Sequence, residues 1–400
     1  MSASNQTVYR ILFAVSLVHL LNDSLQAVIP ATLPILQKNL SLSYAQLGII
    51  LLVINIVSSI LQPVIGYMTD VKPKPFLLPV AMLVSGLGML GIAFAENFYT
   101  VLFAVALVGV GSAVFHPEAS RVAYLAAGPR RGLAQSIFQV GGNGGQALAP
   151  LMSAWFFVAF GQLGAAWFTL PAAIALIVMV FLAFWYGNQN RLAKKQTTTV
   201  ELNYRRERMI ALGLLVVFVS VRSWVSAGFQ AFYPLYLIDV KHIPYNEAQY
   251  YTFTFLMAGA IGTFFGGPLA DRFGKRNLMV LSTLGALPFI LCMPYAHGFW
   301  AYPLLFVGGL ILLSSFSVTV VYAQELLPGR IGTVSGLIIG LAFGMGGIGS
   351  YFLGILGDTH GLTFVITLCS ILPLVGFLGL LLPKDATIQK WEQARLRAAS

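Results

Sequence analysis

The stretch Phe115–Pro150, FHPEASRVAYLAAGPRRGLAQSIFQVGGNGGQALAP, decides how the rest of the chain is read. It sets His116, Glu118 and Arg121 near the end of one long apolar segment, and after a short basic turn it opens another. In the second segment Gln135, Gln139, Asn143 and Gln146 recur at offsets of four, eight and eleven, which places four amides on one helical face. An ionisable side chain inside a lipid-spanning helix costs about 2.5–3.5 kcal/mol on insertion scales and so faces a polar cavity. The stretch reads as half of a solute pathway through a membrane.

Working outward, composition agrees. Hydrophobic residues make up 58% of the 400 and charged residues only 9%, against roughly 25% charged in a soluble domain. Apolar runs longer than ~18 residues predict membrane helices rather than the short alternating strands of a barrel. Twelve such segments are predicted, at about 10–37, 44–69, 75–95, 98–127, 132–158, 164–187, 208–239, 247–268, 277–296, 299–326, 331–357 and 363–382. The first continues past Asp23 and Pro30 without a small-residue cleavage site, so it reads as a retained helix and not a signal peptide.

The net charge of +10 does not imply nucleic acid, because the basic residues sit in short connections between apolar runs. If the amino terminus is inside, all but four of the 23 Lys and Arg fall on the cytoplasmic side. The four are Lys38 and Lys241 outside, and Arg121 and Arg222 within helices. Both termini are therefore expected in the cytoplasm. Cys292 and Cys369 lie apart in apolar runs and make neither a disulfide framework nor a metal site. No P-loop, metal-ligand cluster or nucleophile–base pattern is present in the sequence. The expectation is a transporter with no cofactor and no metal, not an enzyme.

The polar connection near the middle of the chain, at 188–207, reads as a flexible basic linker between two bundles, 1–187 and 208–400. An internal repeat supports the division. Gln26-Ala-Val-Ile-Pro30 matches Gln230-Ala-Phe-Tyr-Pro234, Gly66-Tyr-Met-Thr-Asp70 matches Gly267-Pro-Leu-Ala-Asp271, and Gly128-Pro-Arg-Arg-Gly132 matches Pro328-Gly-Arg-Ile-Gly332. The offsets are 204, 201 and 200, in the same order. The predicted fold class is an all-α membrane protein, with twelve transmembrane helices in two pseudo-symmetric six-helix bundles that rock in alternating access.

The connection Gly266-Gly-Pro-Leu-Ala-Asp-Arg-Phe-Gly-Lys-Arg276 resembles the signature loop of the major facilitator superfamily. Its Asp271 and Arg272, with Asp70 in the first-half copy, are candidate gating residues that latch helix ends; the alternative is a tight charged turn set only by topology. Gly132, Gly141 and Gly145 resemble the start of that superfamily's antiporter motif, and close helix packing is the competing reading. More specifically, LVHLLNDSLQAVIP (17–30), LQPVIGYMTD (61–70), VFHPEASRVA (114–123), RRGLAQSIFQVGGN (130–143) and VYAQELLPGRIGTVSG (321–336) resemble the fosmidomycin resistance protein family of that superfamily. The resemblance implies a bacterial inner-membrane carrier that expels a small anionic antibiotic against entering protons. It also implies that the first, fourth, seventh and tenth helices line the cavity. The superfamily's usual Arg early in the fourth helix is absent, and Arg121 is its candidate replacement.

The polar faces fall on those helices and on the fifth. His19, Asp23, Gln26 and Pro30 share one face, as do Arg222, Ser226, Gln230 and Tyr233, while Ser314, Ser317, Tyr322 and Glu325 run along another. Arg121 and Arg222 are candidate anion ligands, with Gln26, Gln139, Asn143, Gln230 and Tyr233 as further solute contacts. Asp23 and Glu118 are candidate proton carriers, with His19 and His116 as relays. Glu118–Arg121 at (i, i+3) also reads as a structural ion pair, and His116 before Pro117 as a partner for a freed backbone carbonyl. Glu325 reads as an inner-gate or structural residue. The expected partners are a small-molecule solute, protons and the lipid bilayer, with no nucleic acid, and a monomer as the working unit. An importer or uniporter of a metabolite on the same fold is the alternative.

Overall fold

A computed structural model describes residues 7–128, 131–190, 204–296, 298–327 and 331–399. Among these the protein is helical throughout, with no strand. The first half comprises α1 (Tyr9–Leu40), α2 (Tyr44–Val71), α3 (Leu77–Ala93), α4 (Phe98–Ala126), α5 (Arg131–Phe160) and α6 (Thr169–Asn190). The second comprises α7 (Arg205–Ala227), α8 (Tyr233–Asp239), α9 (Tyr245–Phe273), α10 (Lys275–Leu284), α11 (Leu287–Cys292), α12 (Ala301–Leu313), α13 (Phe316–Leu326), α14 (Ile331–His360), α15 (Leu362–Ile371) and α16 (Asp385–Ala399). Each predicted apolar segment coincides with a helical stretch. Nine stretches among the described residues are long and apolar enough to cross a membrane, and α3 is shorter. The body of the expected linker, 191–203, lies outside the described residues, as do Arg130 and the side chains of Asp70, Arg131 and Gln135.

The first-half helices are continuous, whereas several in the second half are interrupted, although α9 and α14 are not. A π-helical turn, Gly228–Phe232, separates α7 from α8. Ser314 and Ser315 separate α12 from α13, and Gly285 and Ala286 separate α10 from α11. Such turns and breaks in membrane helices recur where ligands bind. Apolar side chains project outward, as Phe103 (69% exposed) on α4 and Ile177 (69%) on α6 do. A soluble surface would not tolerate this and a bilayer requires it.

The chain divides into two compact units by contact: Met1–Lys194 with Ala227–Phe253 and Gly347–Val365, and Lys195–Ser226 with Thr254–Gly346 and Ile366–Ser400. In the first unit α1 and α5 lie backbone to backbone. A methyl group on Gly141 would collide with the Ser16 carbonyl, and one on Gly145 with the Leu20 carbonyl, so only glycine allows this approach. These glycines of the antiporter-like motif thus serve as the packing seam between α1 and α5. At one end of the same unit the α2 amino terminus is doubly capped. Ser43 and Gln46 form a capping box, and Asp358 of α14 accepts from the Tyr44 and Ala45 backbone N–H groups at 2.8 and 2.9 Å. The Tyr44 hydroxyl donates to Asp239 Oδ2 at 2.8 Å.

In the second unit α16 is built into the core. Ile388 and Trp391 join Phe218, Tyr322 and Leu326 in one buried cluster. The fully buried Arg208 donates to the Glu325 and Leu326 carbonyls at 3.0 and 2.9 Å, satisfying the end of α13, and its guanidinium lies 5.4 Å from the Trp391 ring centre. The Asp385 carboxylate accepts from the Lys275 and Arg276 backbone N–H groups at 3.1 and 3.3 Å, a favourable placement of negative charge at the α10 amino terminus.

Candidate functional site

Two helices of the first unit, α1 and α4, bring one carboxylate against two imidazoles, and α5 packs against them. Asp23 on α1 is 3% exposed. Its Oδ1 stands 3.5 Å from His19 Nε2 one turn away and 3.3 Å from His116 Nε2 on α4. The far nitrogen of each ring has a fixed duty. His19 Nδ1 is 2.8 Å from the Phe138 carbonyl on α5, and His116 Nδ1 is 3.0 Å from the Ser112 carbonyl. A carbonyl only accepts, so each Nδ1 carries its hydrogen and donates. In the neutral rings both Nε2 lone pairs then face an oxygen that also only accepts. Three acceptors converge, and the arrangement is satisfied by a shared cation.

The surroundings hold this geometry. The His19 ring stacks on Phe138 with centres 4.0 Å apart and meets His116 edge-on at 5.4 Å. Asn22 Nδ2 donates to Asp23 Oδ1 at 3.0 Å, and Gln146 Nε2 of α5 donates to Oδ2 at 3.0 Å. Gly142 closes the pocket, because a Cβ there would lie 2.5 Å from His19 Nε2 and 3.0 Å from Asp23 Oδ2. On the other side a polar chain leads to α2. His116 Nδ1 is 3.2 Å from Ser112 Oγ, Ser112 Oγ is 3.2 Å from Ser58 Oγ, and Gln62 Nε2 donates to Ser58 Oγ at 3.1 Å. The His116 ring serves the Ser112 carbonyl and not that of Ala113, which Pro117 frees. By distance, the three ligand atoms of His19, Asp23 and His116 lie within 4.8 Å of one another and could hold a divalent cation as well as a proton.

Arg121 is employed differently. Its Nη1 donates to the Thr69 carbonyl at 2.7 Å and to the Tyr186 hydroxyl at 3.0 Å, and lies 3.3 Å from Glu118 Oε1. It ties the end of α2 to α4 and α6. Glu118 is fully buried, and among the described residues neither of its oxygens has a hydrogen bond of good geometry, so the ion pair is its compensation.

In the second unit the Arg222 guanidinium, 4% exposed, has no carboxylate partner among the described residues. Its Nη1 donates to Ser315 Oγ at 3.0 Å and Thr319 Oγ1 at 3.4 Å, and it lies 5.3 Å from the Phe316 ring centre. Of the other predicted solute contacts, Gln139 donates to Asn143 Oδ1 at 3.3 Å on half-buried α5. Gln26 is half-buried on α1 and Gln230 half-buried in the π-helical turn. Tyr233 is buried, its ring near Tyr236 and its hydroxyl without a partner among the described residues. Of the predicted gating residues, Asp271 and Arg272 are exposed, with Arg272 over the Phe273 ring. Glu325 pairs with Lys275 Nζ at 2.9 Å, and Lys275 also lies 3.5 Å from Asp385. That network holds Lys275 above its ordinary pKa: burial lowers the value, but the Glu325 and Asp385 carboxylates raise it further. Sequence reading overlooked Asn22, Gly142, Ser112, Ser315 and Asp358. Gln146 alone had a signal, its place on the amide face of α5.

Stacked apolar helices with a few ionisable groups turned inward define an integral membrane protein, and the comparisons identify which kind. Residues 12–350 match the family model of the Major Facilitator Superfamily, and the chain belongs to that family. It is 51% identical to the uncharacterized MFS-type transporter YfnC of Bacillus subtilis, over 96% of this chain and 95% of that one. It is 44% identical to the fosmidomycin resistance protein of Escherichia coli, over 95% and 94% of the two chains. Among solved structures, a bacterial homologue of the human lysosomal transporter Spinster, inward-facing and occupied, superposes with a TM-score of 0.75 at 17% identity, over 93% of this chain and 96% of that one. The nucleoside transporter NupG gives 0.73 at 11% identity, over 93% and 98%. Family and fold both point to a transporter rather than an enzyme.

Proposed function

We propose that the protein is a twelve-helix proton-coupled antiporter of the bacterial inner membrane, acting as a monomer with both termini cytoplasmic. It expels a small anionic solute, fosmidomycin or a related polar anion, by alternating access of its two six-helix halves, 1–187 and 208–400. The observation that carries the coupling is the convergence of His19 Nε2, His116 Nε2 and Asp23 Oδ1, three acceptors with both Nδ1 positions committed elsewhere. A proton shared there relieves the cluster, and losing it leaves a buried carboxylate facing two lone pairs. The two states therefore differ enough to bias a conformational equilibrium. Arg222 supports the anionic solute, since a buried guanidinium whose hydrogen-bond partners among the described residues are neutral hydroxyls has charge to spare for a ligand. The name of the Escherichia coli relative supports the direction and the solute.

Everted membrane vesicles test the reading. A pH gradient should drive fosmidomycin accumulation that a protonophore abolishes, and Arg222→Ala should lose it. Accumulation indifferent to the protonophore ends the coupling. Equal handling of fosmidomycin and a neutral phosphonate diester by wild type and Arg222→Ala ends the anion site.

A further inference from the structure

We infer that Ser315, at the break between α12 and α13, sets the preference of the Arg222 site for anions by orienting the guanidinium without neutralising it. The inference rests on the proposed function, in which Arg222 receives the solute's charge. At the break Ser314 Oγ donates back to the Ile311 carbonyl at 2.7 Å, which keeps that hydroxyl on its own preceding turn. The chain resumes as α13 only at Phe316, which leaves the Ser315 hydroxyl free to face α7.

The direction of each hydroxyl hydrogen follows from its partners. Ser282 Oγ donates to the Met279 carbonyl at 2.8 Å, so in the 2.7 Å contact between Ser282 and Ser315 the hydrogen comes from Ser315. Ser315 Oγ then offers only lone pairs to Arg222 Nη1. Thr319 Oγ1 donates to the Ser315 carbonyl at 2.7 Å and likewise offers only lone pairs. The chain Arg222 to Ser315 to Ser282 to Met279 runs in one sense, each hydroxyl hydrogen directed away from the guanidinium. These acceptors fix the plane of the fork but carry no charge. Apolar Phe218, Val225 and Leu312 stand beside Arg222 and add none. Nε and Nη2 make no hydrogen bond among the described residues, which leaves the edge that binds an oxyanion with two parallel bonds. A carboxylate in place of Ser315 would hold the fork as firmly and cancel it.

The test is fosmidomycin transport in proteoliposomes, with KM and Vmax taken separately. Ser315→Ala should raise KM about ten- to a hundredfold, the loss of one hydrogen bond to a charged group, with Vmax held. Ser315→Thr keeps the hydroxyl and should recover most of the affinity. Ser315→Asp should abolish anion transport while leaving the purified protein monodisperse. Fosmidomycin-induced rises in melting temperature should rank the variants in the same order. A wild-type KM in Ser315→Ala, or KM and Vmax failing together without recovery in Ser315→Thr, overturns the inference. Arg222→Ala separates the two levels: if it transports the anion normally, the anion-site reading falls. If it is inactive while Ser315→Ala behaves as wild type, only the role of Ser315 falls.

Discussion

Asp23→Asn removes a charge from the centre of the α1–α4–α5 cluster and almost nothing else. In the native side chain Oδ1 faces His116 Nε2 at 3.3 Å and His19 Nε2 at 3.5 Å, both unable to donate while neutral. An amide nitrogen in that position donates to either ring, and the amide oxygen keeps the 3.0 Å bond from Gln146. Asn22, which now donates to Oδ1 and whose own Oδ1 has no partner among the described residues, turns its amide to suit. The variant is therefore satisfied by neutral hydrogen bonds, with a stability change within about 1 kcal/mol, and it no longer needs a cation. The consequence for transport is large and specific. At one proton per solute, a gradient of about 2 pH units supports roughly hundredfold accumulation, and the Asn variant should reach none. Solute-for-solute counterflow, which needs no net proton movement, should continue. The assay is a pair of measurements on one preparation of proteoliposomes: accumulation under an imposed pH gradient, and counterflow without one. Accumulation against the gradient by Asp23→Asn refutes the coupling argument. Loss of counterflow as well as accumulation, in a protein that still melts normally, assigns Asp23 to the solute path instead.

Other sites give sharper structural outcomes. Gly142→Ala should uncouple transport and lower stability by about 1–3 kcal/mol, because the glycine seam at Gly141 and Gly145 prevents α5 from backing away; thermal melting with the accumulation assay checks both. Arg121→Ala should destabilise by about 3–5 kcal/mol by stranding the buried Glu118 charge, and adding Glu118→Gln should restore much of it; no rescue in the double variant would deny the pairing. Asp358→Ala should cost about 1.5–3 kcal/mol, as a charge-assisted cap on α2 is lost, and should speed hydrogen exchange at Tyr44 and Ala45. The Lys275 contribution is present below the ordinary lysine value of ~10.4 and lost as pH rises through its elevated folded value, so an alkaline melting series should lose less in Lys275→Gln than in wild type.

How much of this was legible follows from what periodicity encodes. Apolar runs fixed the helices, and charges in those runs marked α1, α4 and α7 as the elements that matter, since lipid leaves no cheap alternative. Periodicity reports the face of one helix, however, and not which faces meet. His19 and Asp23 were visible as one turn of α1, but the second imidazole comes from α4 and the pocket floor, Gly142, from α5. Arg121 reads in sequence as an anion ligand or as the ion-pair partner of Glu118, and it does lie 3.3 Å from that carboxylate. Two further partners, a backbone carbonyl at the end of α2 and a tyrosine on α6, have no sequence pattern that announces them. Ser315 and Ser282 escaped notice for a related reason: a serine in a membrane helix commonly bonds its own preceding turn, and only the break between α12 and α13 turns one toward Arg222.

The repeat makes the remaining asymmetry informative. Gln26 and Gln230 correspond at an offset of 204, yet the same offset carries Asp23 to Ala227 and His19 to Ser223, and carries Arg222 back to Val18. The two matched stretches hold opposite equipment: a cation-seeking carboxylate with two imidazoles in one, a guanidinium on neutral hydroxyls in the other. The partners of Asp23 all lie in one compact unit and those of Arg222 in the other. On the proposed function, proton and solute need not touch for one to drive the other. It is enough that each ligand binds the two global states with different free energy, since linkage then couples them in both directions. Such coupling has a signature that direct competition lacks. Protonation should shift fosmidomycin affinity by a bounded factor, and Asp23→Asn should remove that shift while Arg222 and its hydroxyl partners Ser315 and Thr319 remain intact.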